Sequence, residues 1–85
     1  MNKSDEFGNT MLTVACQSGN LKLCKYLLSK GSNPNHQNKN GQTPGHFAIA
    51  YKFFDVSTYL FENGGDDTRE NRFGLTAYDG LESNA

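Results

Sequence analysis

A Gly-x-Thr triplet recurs along this chain at a fixed interval of thirty-three residues, beginning at Gly8, Gly41 and Gly74. Residues 5–37 align with residues 38–70 without a gap; six positions are identical, and several of those that differ exchange one apolar side chain for another. A fixed period of this length is typical of repeat proteins, in which each unit buries its apolar face against its neighbours. We name the segments as follows: 1–4, polar lead-in; 5–37, copy 1; 38–70, copy 2; 71–82, C-terminal segment, interpreted as a partial third copy or C-terminal cap; 83–85, tail.

Each copy carries the signals of two helices. Thr10 and Thr43 stand where an N-cap hydroxyl accepts a backbone N–H, and Pro44 follows at the first helical position. Gly31 and Gly64 stand where a left-handed residue ends a helix. The pattern predicts first helices over 11–18 and 44–51, and second helices over 21–29 and 54–62. The predicted fold class is therefore all-α.

The same segments identify the family that the chain resembles. Residues 41–48, Gly-Gln-Thr-Pro-Gly-His-Phe-Ala, match the ankyrin-repeat pattern Gly-x-Thr-Pro-Leu-His-x-Ala at every fixed position except the leucine. Residues 31–35 resemble the Gly-Ala-Asp-x-Asn loop of that family, and residues 74–81 resemble its closing helix. The resemblance implies an ankyrin-repeat helical solenoid with two full repeats, the first helix of a third, and short β-turn or hairpin loops between repeats.

Copy 2 departs from the family pattern at two places. Gly45 replaces the core leucine, which predicts a hole that Phe47 could fill. Lys52 occupies the position of Gly19, so a left-handed turn there would carry strain unless the turn is altered. These departures predict that copy 2 is not internally optimal.

Composition argues against several classes of protein. A net charge of −1 does not suggest a basic surface for nucleic acid. No apolar run is long enough to span a bilayer and the N-terminus shows no secretory signal, so we expect no membrane insertion. Two cysteines are too few for a disulfide framework, which favours an intracellular, cytoplasmic setting.

Four residues suggest metal or acid–base chemistry, and the structural interpretation is preferred for each. Cys16, Cys24, His36 and His46 are not spaced like zinc ligands, and both cysteines occupy apolar repeat positions. By resemblance, His46 hydrogen-bonds to the neighbouring loop and links adjacent repeats. No nucleophile or carboxylate partner is signalled for it. We therefore expect no enzyme activity, no metal and no cofactor.

The resemblance also implies where a partner protein would dock, because ankyrin repeats use a concave surface of loop tips and first helices. The loop-tip positions are Glu6, Phe7, Asn9, Lys39, Asn40, Gln42, Arg72, Phe73 and Leu75, and the first-helix positions are Gln17, Ser18, Ala50 and Tyr51. Phe7 and Phe73 fall at the same loop-tip position, and the sequence leaves open whether they bind a partner or fold back as caps.

Three hypotheses about function follow. The first is a monomeric module that binds an unidentified partner protein and forms part of a larger intracellular protein. The second is a structural element that stacks end to end with another chain, since about three repeats are normally needed for stability. The third is an enzyme, or a domain appended to an enzyme, with any catalytic residues outside this chain.

Overall fold

The computed structural model describes residues 9–81, which contain four α-helices. These are α1 (Met11–Gln17), α2 (Leu21–Ser29), α3 (Pro44–Ala50) and α4 (Phe54–Glu62). Both second helices have their predicted bounds, and each first helix ends one residue earlier than predicted. Among these helices, none is both long and apolar enough to cross a membrane.

The first helices begin at the predicted threonines. The Thr10 hydroxyl accepts the backbone N–H of Thr13 at 3.4 Å, and the Thr43 hydroxyl accepts that of His46 at 3.3 Å. Each of these side chains satisfies a donor that has no partner within its helix. Pro44 lies at the start of α3, where a missing N–H costs nothing. The N-cap predictions are confirmed.

The second helices end at the predicted glycines. Gly31 has a backbone φ of 92° and Gly64 a φ of 99°, both in the left-handed region. After α2, the N–H of Ser32 returns to the carbonyl of Leu27 at 3.0 Å, which closes the helix end in the manner of a Schellman motif. The two helix pairs therefore end in the same way, thirty-three residues apart.

Lys52 keeps the left-handed turn that Gly19 makes in copy 1. Its φ is 65°, compared with 68° for Gly19, and the following N–H of Phe53 reaches the carbonyl of Ala48 at 2.8 Å. A residue with a β-carbon is strained in this conformation by about 1 kcal/mol. The turn between α3 and α4 is thus conserved in shape, and the expected strain is present at Lys52.

The hydrophobic core lies between the two helix pairs, because α1 packs on α3 and α2 packs on α4. Its buried members are Leu12, Ala15, Cys16, Cys24, Leu27, Ala48, Val56 and Leu60, with Leu21, Leu23, Leu28, Phe53 and Phe61 packed against them. Each copy therefore shields the apolar side of the other, as expected for a solenoid.

The hole expected at Gly45 is filled by Phe61. A β-carbon built on Gly45 would lie 2.7 Å from the Phe61 ring, so the ring occupies the space of the missing leucine side chain. The prediction that Phe47 fills this space is therefore wrong. Copy 1 has Leu12 and Leu28 at the two equivalent positions, and copy 2 replaces this pair with one smaller and one larger residue.

Phe53 packs across the boundary between the copies. A β-carbon on Gly19 would lie 2.6 Å from the Phe53 ring, so the ring covers the turn that ends α1. Phe53 aligns with Asn20 in copy 1, so this contact cannot be read from the repeat pattern.

The C-terminal segment forms a turn at the position where the sequence predicts the first helix of a third repeat. The carbonyl of Thr76 accepts the N–H of Asp79 at 3.0 Å, and the Asp79 carboxylate accepts the N–H of Thr76 at 3.0 Å. Gly80 follows with a φ of 115°, which takes the backbone out of the helical region. The expected helix is therefore a single turn within the described residues.

Candidate protein-binding surface

The loop between the copies forms a sharp corner around Asn38. The side-chain oxygen of Asn38 accepts the backbone N–H groups of Asn40 and Gln42, both at 2.9 Å. The N–H of Asn38 also donates to the carbonyl of Gln42 at 3.0 Å. One carboxamide therefore sets the shape of the whole corner, in the way that asparagine stabilises tight turns.

Asn71 builds the same corner in the C-terminal segment. Its side-chain oxygen accepts the N–H of Phe73 at 2.9 Å and that of Leu75 at 3.1 Å. The role of Asn38 and Asn71 is not among the sequence-based predictions. The signal was present, because the two are identical residues one repeat length apart.

The corners stack directly on one another. The N–H of Arg72 donates to the carbonyl of Asn40 at 2.9 Å, and the Asn71 amide donates to the side chain of Gln42 at 3.0 Å. Gly41 has a φ of 74°, and a β-carbon there would lie 2.7 Å from the backbone nitrogen of Arg72. Gly74 has nearly the same φ, 76°. Gly41 and Gly74, one repeat length apart, therefore lie at equivalent corners, while Gly8 lies outside the described residues.

His46 joins copy 2 to the C-terminal segment. Its Nε2 lies 2.8 Å from the carbonyl oxygen of Leu75, and because a carbonyl only accepts, Nε2 carries the proton. Nδ1 then accepts from the Thr43 backbone N–H at 3.2 Å and from the Thr43 hydroxyl at 2.8 Å. Both ring nitrogens are thus engaged within the protein, and the predicted link between repeats is confirmed.

The two cysteines are buried in the core as free thiols. Their sulfur atoms lie 3.7 Å apart. The hydrogen bond with Cys24, together with burial, raises the pKa of the Cys16 thiol, which therefore stays protonated. Within residues 9–81 no three His, Cys, Asp or Glu side chains are grouped so as to hold a metal ion.

The structure distributes the predicted docking residues over three classes. Exposed side chains are those of Ser18, Lys39, Asn40, Ala50, Tyr51, Arg72 and Phe73, and half-buried ones are those of Asn9, Gln17 and Leu75. Glu6 and Phe7 lie outside the described residues. Gln42 is only 4% exposed, and its amide donates to the Leu81 carbonyl at 2.7 Å. The assignment of Gln42 as a contact residue is therefore wrong, because its side chain holds the corners together.

Arg72 and Phe73 form an ordered pair at the tip of the second corner. The Arg72 guanidinium lies 5.2 Å from the centre of the Phe73 ring, and it donates to the Asn40 side chain at 3.2 Å. Phe73 nevertheless stays 43% exposed, so its ring lies on the surface and not in the core. The pair offers a cation and an aromatic face in a fixed arrangement.

Tyr51 presents a second aromatic surface at the end of α3. Its ring lies 6.0 Å from that of Phe47 and 6.4 Å from that of Phe53, yet it remains 47% exposed. Two neighbouring rings therefore hold Tyr51 in place while one side of it faces solvent.

Acidic groups order the loop that follows α4. The Thr68 hydroxyl and N–H both donate to the Asp66 carboxylate, which lowers the pKa of Asp66. The Tyr78 hydroxyl donates to the Asp67 carboxylate at 2.6 Å, and this bond raises the pKa of Tyr78. The loop is thereby linked to the C-terminal segment.

Layered helix pairs, stacked corners and a histidine that joins successive layers define a helical-repeat protein. A family model described as ankyrin repeats, three copies, matches residues 1–71. The chain is 35% identical over 78 residues to the human transient receptor potential cation channel subfamily A member 1, covering 91% of this chain and 7% of that protein. It is also 35% identical over 71 residues to the Saccharomyces cerevisiae protein named "Probable 26S proteasome regulatory subunit p28", covering 81% of this chain and 31% of that one.

This chain belongs to the ankyrin-repeat family. It spans less than a third of the length of either of these relatives. Ankyrin repeats are generally protein–protein interaction modules, and their fold is a non-catalytic one.

Proposed function

We propose that this chain binds a partner protein through the tips of its corners. The tip surface consists of Lys39, Asn40, Arg72 and Phe73, all of which are exposed. The observation that carries the proposal is the Arg72–Phe73 pair, which is held in place by Asn71 and Asn40 while it faces solvent. No described contact of Phe73 places its ring in the core, so its exposed face is available to a partner.

The order of this surface favours binding. A partner that docks on mobile side chains loses free energy as each one is immobilised, about 0.5–1.5 kcal/mol per flexible side chain. Arg72 is held by its bond to Asn40 and its contact with Phe73, so part of that entropic cost is met when the chain folds. Arginine and aromatic residues are also the types that most often dominate interface energies.

The first helices extend the proposed surface. Tyr51 adds more contact area to this surface than the residues of α1, since its ring is exposed and is supported by Phe47 and Phe53. Ser18 is exposed and Gln17 is half-buried at the end of α1. The half-buried residues Asn9 and Leu75 lie at the margin of the surface and contribute shape more than contact area.

The chain acts in this proposal as a binding segment of a larger intracellular, cytoplasmic protein and carries out no catalysis itself. The structural use of both His46 nitrogens supports the absence of catalysis at this residue. The second hypothesis, end-to-end stacking with another copy, is an alternative that sedimentation measurements distinguish, because a concentration-independent monomer excludes it.

The test begins with a photocrosslinking amino acid in place of Lys39, and the same amino acid in place of Lys22 on α2 as the matched control. Both positions are exposed lysines. We expect a partner protein to be crosslinked from Lys39 and not from Lys22. Equal crosslinking from both positions would contradict binding at the tip surface.

The captured partner is then purified and its affinity measured by calorimetry. We expect Arg72→Ala and Phe73→Ala each to weaken binding by about 1–2 kcal/mol, and Thr58→Ala on the exposed surface of α4 to leave it unchanged. Urea unfolding of each variant checks that the corner remains folded. Unchanged affinity in the Arg72→Ala/Phe73→Ala double variant would exclude the tip surface.

A further inference from the structure

Cys16 and Cys24 form a pair of facing thiols inside copy 1. Cys16 lies near the end of α1 and Cys24 in the middle of α2, and their sulfur atoms are 3.7 Å apart. The left-handed turn at Gly19 reverses the chain between them, so that α1 and α2 pack side by side. Both side chains are at most 1% exposed. Each thiol therefore has the other sulfur as an immediate neighbour within the core.

The helix pair does not require cysteine at these two positions. The equivalent positions in copy 2 hold Ile49 and Ser57. Ser57 is buried as well, and its hydroxyl donates to the carbonyl of Phe54 at 3.1 Å. A branched apolar residue and a small hydroxyl residue thus satisfy the same two places in a similar helix pair. Packing alone does not explain why copy 1 has a cysteine at both.

We propose that Cys16 and Cys24 are a thiol–disulfide exchange site, at which a small-molecule disulfide of the glutathione type oxidises the pair to an intramolecular bond between α1 and α2. A disulfide requires its two sulfurs to lie about 2.05 Å apart. The two sulfurs start in contact on facing helices, so a small movement of the side chains and of α1 is enough to bring them together.

Cys24 is the sulfur that reacts first. Its hydrogen bond with Cys16 lowers the pKa of the Cys24 thiol, and the thiolate is the form that attacks a disulfide. Cys16 is the resolving thiol, because the fold places it beside the sulfur that it must attack. Since both thiols are buried, the small disulfide reaches Cys24 when α1 and α2 separate in a local opening.

The exchange balances without a further reactant. The Cys24 thiolate forms a bond with one sulfur of the small disulfide, whose own S–S bond breaks and whose other half leaves as a thiolate. The Cys16 thiolate then forms the bond to Cys24, and the second half leaves in the same way. The two cysteines lose two electrons and two protons, and the small disulfide takes up both to become two thiols. An excess of thiol reverses both steps.

The new bond closes a loop around the turn between α1 and α2. That turn contains Gly19 and Asn20, whose side chain accepts the N–H of Leu23 at 3.1 Å and caps α2. A cross-link around a loop lowers the conformational entropy of the unfolded chain. We therefore expect the oxidised chain to be more stable than the reduced one. The site shares no residue with the tip surface, so this proposal and the proposed function can fail independently.

The first experiment equilibrates the intact chain with glutathione. Reduced glutathione is held constant, oxidised glutathione is varied, and free thiols are trapped before mass spectrometry. We expect the chain to lose two hydrogen atoms and to carry no glutathione at equilibrium. Half-oxidation should need about tenfold less oxidised glutathione, or lower still, in native buffer than in denaturing urea, because the fold holds the sulfurs together.

Three results of this experiment would overturn the proposal. The first is a native chain that stays reduced while the unfolded chain is oxidised. The second is a stable glutathione adduct in place of the intramolecular bond. The third is half-oxidation at the same concentration of oxidised glutathione in both conditions, since the fold would then contribute nothing to the reaction.

The second experiment compares urea unfolding of the oxidised and the reduced chain. We expect a higher midpoint after oxidation, and its return to the original value in excess reduced glutathione. An unchanged or lower midpoint in the oxidised chain would contradict the proposed bond between α1 and α2. This comparison uses the original chain alone, so it is decisive even if a variant folds poorly.

Two single variants are the matched controls. Cys24→Ser introduces the residue that copy 2 has at Ser57, and Cys16→Ala removes the other sulfur. Each variant keeps one thiol and cannot form the intramolecular bond, so oxidised glutathione should not raise its midpoint. A rise of the same size in either variant would overturn the proposal, because the effect would then not depend on the pair.

Discussion

The imidazole of His46 donates a hydrogen bond to the backbone carbonyl of Leu75 at 2.8 Å, so one side chain of α3 joins copy 2 to the corner that follows it. The opposite ring nitrogen accepts from Thr43 at the start of the same helix. A single residue therefore serves both the helix cap and the contact between layers.

Replacement of His46 by alanine should destabilise the fold by about 2–3 kcal/mol, because the Leu75 carbonyl and the Thr43 N–H lose a partner and a cavity is left. Urea unfolding measures the change. Thr58→Ala, on the exposed surface of α4, is the control and should change the stability by only a few tenths of a kcal/mol. A His46→Ala protein as stable as the control would contradict the role assigned to this bond.

Gly41 and Gly74 offer a matched test of corner stacking. Both have a positive φ, but only at Gly41 would a β-carbon lie against the next corner, 2.7 Å from the backbone nitrogen of Arg72. Gly74→Ala should therefore cost about 1 kcal/mol from backbone strain alone. Gly41→Ala should cost about 1–3 kcal/mol more, because the stacked corners must separate. Equal losses in calorimetric unfolding would show that the corners are energetically independent.

Gly45 and Phe61 should be coupled in a double-mutant cycle. Gly45→Leu alone should destabilise the fold by about 1–3 kcal/mol, because the new side chain meets the Phe61 ring. Phe61→Leu alone should leave a cavity. The double variant restores the leucine pair that copy 1 has at Leu12 and Leu28, so we expect a favourable coupling energy of about 0.5–3 kcal/mol. Additive losses in urea unfolding would mean that another side chain fills the space.

Lys52→Gly should stabilise the protein by about 1 kcal/mol, since glycine adopts a φ of 65° without strain. Lys52→Ala is the control, because it removes the charge but keeps the β-carbon, and its stability should stay near that of the original chain. Thermal unfolding distinguishes the two. A gain of the same size in both variants would attribute the effect to charge and not to the backbone.

The bond from Tyr78 to Asp67 makes a prediction about alkaline pH. Because this bond raises the pKa of Tyr78 above its ordinary value of 10.0, the protonated phenol is favoured in the folded state. Its contribution to stability is therefore present below pH 10 and is lost as the pH rises through the folded pKa.

Ultraviolet absorbance follows ionisation of the tyrosines, and Tyr78→Phe identifies the contribution of this one. Asp67→Asn should return the midpoint of Tyr78 toward its ordinary value, since the negative acceptor is removed. A midpoint that does not move in Asp67→Asn would contradict the assigned cause.

The fold was largely predictable because its signals repeat. Thr10 and Thr43 cap equivalent helices, and Gly31 and Gly64 end equivalent helices, so each pattern was seen twice. His46 was likewise placed correctly, since its motif is specific. Structural signals that recur at a fixed interval can therefore be predicted from the sequence alone.

The features that the sequence did not predict are those that differ between the copies or depend on side-chain direction. Phe61 fills the space at Gly45 from another helix, sixteen positions away, and copy 1 offers no precedent for it. Gln42 stands in a loop that resembles a binding tip, yet its amide points into the stack toward Asn71. Only the packed structure determines these directions.

Three of the side-chain hydrogen bonds between layers span the same number of residues. Asn38 to Asn9, Asn71 to Gln42 and His46 to Leu75 each join residues twenty-nine positions apart. These contacts therefore depend on a fixed number of residues between equivalent positions in successive layers. Duplicating or deleting one whole unit keeps every such pair in register, whereas inserting a single amino acid into a corner would change the separation of each pair that spans the insertion. We therefore expect an array of this kind to lengthen by whole repeat units.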